Sequence, residues 1–107
     1  MRVERAEEAS YRFVVSAILT DLESGQQTQE TTWDLSLLGC HVMPGNFTRI
    51  GALVRVQITH NGEAFEARGR VLNLRPLMGA GIGFTNVEEH HQTILYKWLA
   101  PLRGERS

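Results

Sequence analysis

The chain has one cysteine, Cys40, so it can close no internal disulfide. That fits a reducing compartment, and the expected location is the cytoplasm. No apolar run approaches the ~20 residues needed to cross a bilayer, so no membrane insertion is expected. Residues 1–8 are charged and lack the apolar centre of a signal peptide. Neither sign of charge is in excess, with 11 Lys and Arg against 12 Asp and Glu and a net charge of −1. A non-specific nucleic-acid binder needs a basic field to neutralise phosphates, so no nucleic-acid partner is expected.

Catalytic and metal signatures are missing as well. His90 and His91 are adjacent on a helical segment, and Cys40 and His41 are adjacent on a strand segment facing opposite sides. Neither pair has metal-ligand spacing, and His60 falls in a hairpin turn. Ser36 has no base near it in sequence, and nothing resembles a nucleophile held by an oriented histidine. Gly79-Ala80-Gly81-Ile82-Gly83 is not a phosphate loop, because its glycines alternate within a strand instead of opening a helix. No cofactor, no metal and no enzymatic activity are expected.

What remains is a strand-rich chain. At 107 residues it is one domain with a modest core. Tyr11 to Thr20 has a period of two, placing Tyr11, Phe13, Val15, Ala17 and Leu19 on one face against Arg12, Val14, Ser16, Ile18 and Thr20 on the other. Thr28 to Trp33, Gly39 to Met43, Leu53 to Thr59, Phe65 to Leu74 and Gly81 to Phe84 complete six strands. Asn61-Gly62 lies between two alternating runs, the strongest short-range hairpin signal, because a type I′ turn requires positive φ at both positions. The period then changes. Ile94, Leu95, Trp98 and Leu99 recur at helical spacing, with Asn86 as the expected cap, Glu89 three residues on, and Pro101 as the stop. The expected architecture is all-β: a six-stranded antiparallel β-barrel with a C-terminal α-helix. Residues 1–9 form an N-terminal arm, 10–86 the barrel and 87–102 the helix.

The most informative run is Asp34-Leu35-Ser36-Leu37-Leu38-Gly39, just ahead of Cys40-His41-Val42-Met43. An ionised Asp accepts two hydrogen bonds side by side, and Ser donates or accepts. Gly39 permits a left-handed turn or a close approach to a ligand. Such a cluster can read the edge of a polar ring. It can equally close a turn between strands, and on these residues alone the turn is preferred.

The run also resembles the Asp/Asn-x-Ser-x-x-Gly signature of the PilZ family, bacterial receptor domains for cyclic di-GMP. Ile50-Gly51-Ala52-Leu53-Val54, Gly69-Arg70-Val71 and Gly81-Ile82-Gly83-Phe84 resemble further family segments, in family order, and the similarity spans Ser10 to Leu102. The resemblance implies the same six-stranded barrel and cyclic di-GMP as ligand. Asp34 and Ser36 would take hydrogen bonds at a guanine base beside Gly39, while Arg2 and Arg5 from the arm clamp phosphate and stack on the base. Guanidinium forks suit both tasks.

Two departures matter. No two arginines of the arm are four apart, so the family's Arg-x-x-x-Arg motif is missing, and position 38, often Gly in the family, is Leu. The leading expectation is a single-domain signalling protein that binds cyclic di-GMP weakly. It would act on a protein effector in motility, pilus or biofilm control. The alternative is an adaptor that does not bind the nucleotide and works by protein contact only. A small barrel binding single-stranded nucleic acid would need a basic groove and stacking aromatics that this chain lacks.

Overall fold

The computed structural model describes residues 9–45 and 48–104. Among the described residues, seven strands precede one helix: β1 (Tyr11–Arg12), β2 (Ser16–Asp21), β3 (Gln27–Leu35), β4 (Gly39–Met43), β5 (Leu53–His60), β6 (Glu63–Arg75), β7 (Gly79–Asn86) and α1 (Glu89–Leu102). All pairings are antiparallel and run β3-β2-β5-β6-β7-β4, and a β3–β4 ladder closes the ring into a six-stranded barrel. Closure removes the unpaired edges that an open sheet of this size would expose. The expected barrel is therefore the observed one, with β1 as an extra short strand on β3.

That extra strand comes from a break in the predicted Tyr11–Thr20 strand. β1 and β2 lie along the same edge of β3, with Arg12 opposite Asp34 and Ser16 opposite Thr31. Three residues, 13 to 15, therefore face two on β3. The surplus is absorbed by Thr32, fully buried, whose hydroxyl donates to the Phe13 carbonyl and accepts from the Val15 N–H at 3.0 Å. A side chain thus replaces the ladder bonds that the bulge forfeits. The alternation survives the break, and Phe13, Ala17 and Leu19 are all buried.

The barrel interior is filled by Leu19, Leu35, Val42, Val54, Val56, Ile58, Phe65 and Val71. The helix covers it with Ile94, Leu95, Trp98 and Leu99, the four residues that the helical period selects, and it packs against β6. Burying an apolar side chain of this size stabilises the fold by roughly 1.5–3 kcal/mol. Two sequence expectations about this helix are corrected. Asn86 does not cap it, because β7 retains Asn86 in its pairing with Arg68; Glu88 holds the cap position, with no side-chain bond to the helix. Pro101 does not stop the helix either, but lies inside it, one residue before its end.

His60 also differs from expectation. It ends β5 instead of lying in the turn, and its ring meets Phe13 and Trp98 edge-on, with centroids 4.9 and 5.4 Å away. Glu30 is a buried carboxylate that no sequence pattern marks. It accepts the Gly45 N–H at 2.7 Å and the Thr28 hydroxyl at 2.8 Å, which ties β3 to the segment after β4.

Candidate functional site

β3 ends at Leu35, a three-residue turn follows, and β4 begins at Gly39. Ser36 builds that turn. Its hydroxyl accepts the N–H groups of Leu38 (3.0 Å) and Gly39 (3.2 Å), and its own N–H donates to the Gly39 carbonyl at 2.9 Å. For Ser36 the turn reading holds, since local side-chain bonds of this kind replace ladder bonds at strand ends. Gly39 serves close approach and not a left-handed turn: a Cβ there would collide with the Ile82 carbonyl across the β4–β7 ladder.

Asp34 behaves differently. The β3–β4 register shifts between Thr32, opposite Val42, and Asp34, opposite His41, which leaves Trp33 with no partner on β4. Bulges of this type re-aim side chains. Here both Trp33 and Asp34 reach His41. Asp34 Oδ1 accepts the His41 backbone N–H at 2.8 Å, and His41 Nδ1 lies 2.9 Å from each carboxylate oxygen. The imidazole stacks on the Trp33 indole, with centroids 4.6 Å apart and planes 25° from parallel. The indole is fixed in turn by its own N–H, which donates to the Met78 carbonyl at 3.1 Å.

Ser10 supplies a further partner, its hydroxyl donating to Asp34 Oδ2. The chain therefore enters the barrel beside this carboxylate. Arg2 and Arg5 lie outside the described residues. A shallow pocket of about 190 Å³ joins Ser10, Asp34, Ser36, Gly39 and His41 to Asn73 and Gly81 on the neighbouring strands. Exposed Leu38 and Leu72 line it too. The Asn73 side chain lies over Gly81, and its Oδ1 is buried without a hydrogen-bond partner among the described residues. Cys40, beneath the pocket, is chemically quiet: burial, and secondarily the nearby Asp34 charge, push its thiol up to about 12.

Sequence reasoning thus singles out Asp34, Ser36 and Gly39, which the structure brings together. It misses His41, Trp33 and Asn73. Spacing tests His41 only as a metal ligand, and among the described residues no group of three or more His, Cys, Asp or Glu could hold a metal. The usable signal is an aromatic directly beside the carboxylate, Trp33-Asp34, with a histidine two residues after Gly39.

A small closed barrel with a lidding helix and a polar cluster where its leading segment enters has the build of a binding domain. The family model for the PilZ domain matches residues 5–100, and the chain belongs to that family, a family of regulatory domains known for cyclic di-GMP reception. Solved structures agree on the fold. The crystal structure of the PilZ domain of CeSA from a cellulose-synthesizing bacterium superposes with a TM-score of 0.67 at 16% identity, covering 90% of this chain and 96% of that one. The Bacillus subtilis inhibitor of motility, MotI/DgrA, gives a TM-score of 0.70 at 14% identity over 99% of this chain, which spans 55% of that protein. No curated protein sequence matches the chain. Among the described residues, no helix is long and apolar enough to cross a membrane.

Proposed function

We infer that the protein is a non-enzymatic signalling domain that binds cyclic di-GMP weakly and passes its state to a protein partner. Asp34 would accept from the guanine edge, with Ser36 and Gly39 shaping the turn beside it. Arg2 and Arg5 would engage phosphate and the exposed face of the base. The observation that carries this reading is the Ser10–Asp34 hydrogen bond, because Ser10, the residue directly after the arginine-bearing arm, meets the one carboxylate of the family signature. Folding of an arm over a bound ligand is a common switching device. Motility, pilus or biofilm control is the proposed setting. Motility is supported by one structural neighbour, which is itself an inhibitor of motility.

A second reading, a cytoplasmic adaptor that works by protein contact without the nucleotide, is favoured by how fully the same cluster is already bonded. Asp34 is already met by Ser10 and by two donors of His41, and the Ser36 hydroxyl is used by its own turn. Calorimetric titration of the full chain with cyclic di-GMP separates the two. Saturable heat supports the receptor, and none at millimolar nucleotide leaves the adaptor.

A further inference from the structure

We propose that Trp33 and Asp34 form a slot for a guanine base, and that His41 fills this slot in the free protein as an internal stand-in for the base. The slot rests on the cyclic di-GMP reading above, and it adds Trp33 as a stacking platform and His41 as the group the ligand displaces.

A bound guanine presents two adjacent N–H donors, N1–H and N2–H, and a flat ring. A carboxylate takes both donors in parallel, and an indole takes the ring face. The His41 ring already satisfies both requirements in miniature. Its Nδ1 is 2.9 Å from Oδ1 and Oδ2 of Asp34, and its plane lies on the Trp33 indole. One N–H shared between two oxygens is a weaker arrangement than two N–H groups with an oxygen each, so guanine is the better occupant of the same place. The slot survives the exchange. The Trp33 N–H stays on the Met78 carbonyl, and the His41 backbone N–H continues to orient Asp34 after the imidazole has swung out. The imidazole is free to leave, because the His41 side chain is 36% exposed and also lines the pocket that adjoins the slot. The β3 bulge is what makes this arrangement, since in a regular strand Trp33 and Asp34 would point to opposite faces.

The test is calorimetry and tryptophan fluorescence of the 107-residue chain with cyclic di-GMP as probe and cyclic di-AMP as control. Trp98 is buried in the core, so ligand-induced quenching reports Trp33. His41→Ala should tighten cyclic di-GMP binding about tenfold, and Trp33→Leu should weaken it by a similar factor and remove the quenching. Trp33→Phe, which keeps a smaller ring, should fall between; melting temperatures confirm that each variant is folded. Cyclic di-AMP should not bind, because adenine places an acceptor where the carboxylate needs a donor. Calorimetric binding that His41→Ala leaves unchanged or weakens would overturn the slot and leave the cyclic di-GMP reading intact. Equal binding of cyclic di-AMP would overturn it as well. Absence of heat from both the native chain and His41→Ala would overturn the slot and the nucleotide reading together.

Discussion

Phe13 and Trp98 stack with ring centroids 5.6 Å apart and planes 25° from parallel, which joins the break between β1 and β2 to the C-terminal helix. Phe65 and His60 approach the same indole at 6.0 and 5.4 Å. The helix is therefore fastened to the barrel by a four-ring cluster. Trp98 is 6% exposed, so Trp98→Ala should cost about 3–5 kcal/mol in denaturant unfolding. Trp98→Phe should cost clearly less, since it keeps a stacking ring and removes an indole N–H that has no hydrogen-bond partner among the described residues. Equal losses for the two variants would mean that the stacking contributes little.

The β5–β6 hairpin turns on Asn61 and Gly62, at φ of 52° and 77°. Both values are positive, as a two-residue I′ turn requires. Nothing among the described residues lies within 4 Å of a Cβ placed on Gly62, so Gly62→Val acts through backbone strain alone. The expected loss is about 1–3 kcal/mol, read as a lower midpoint in chemical denaturation. An unchanged midpoint would show that the turn relaxes to another geometry.

Cys40 should resist thiol reagents in the native protein at pH 8 and react promptly once denaturant is added. The residue is 4% exposed, and burial pushes its thiol up to about 12 from an ordinary value of 9.0. Only the thiolate reacts quickly. The unfolded chain loses this proton near pH 9 while the folded one keeps it. Stability from this group is therefore complete below pH 9 and declines as pH rises toward 12. Cys40→Ala should flatten that alkaline decline, and the difference between the two pH profiles of unfolding measures it.

Much of the barrel was legible because its determinants are local. Asn61-Gly62 names its own turn, Gly39–Met43 has the bounds that its flanking residues announce, and the spacing of Ile94, Leu95, Trp98 and Leu99 selects the buried helix face. The misses share a physical cause, in that each depends on a partner distant in sequence. Tyr11 to Thr20 reads as one strand until Thr32, on another strand, supplies the hydroxyl that stabilises a break. Asn86 is a good cap in isolation, but pairing with Arg68 claims it for β7. The candidate site divides in the same way. Asp34-x-Ser36-x-x-Gly39 is visible as a pattern, whereas the contacts of Asp34 with His41 arise from a register shift that no spacing encodes.

The missing Arg-x-x-x-Arg spacing yields the last prediction. Arg5 is followed four residues later by Ala9, which is exposed and immediately precedes Ser10, whose hydroxyl bonds Asp34. Ala9→Arg therefore places a second arginine at the family spacing from Arg5 and one residue from a group already in contact with the site. One charge-assisted hydrogen bond to a phosphate contributes roughly 1.5–3 kcal/mol, and about 1.4 kcal/mol is tenfold in affinity. Glu7 and Glu8 oppose phosphate, which sets the expected gain in cyclic di-GMP affinity near the lower end, about tenfold. Because the gain is electrostatic and close to the surface, it should shrink as salt is raised toward 1 M, where the screening length falls to about 3 Å. Asp34→Ala in the Ala9→Arg background should abolish binding by removing the acceptor for the base. If Ala9→Arg raises affinity and Asp34→Ala leaves that gain in place, the new arginine holds phosphate at some other surface and the carboxylate does not read the base.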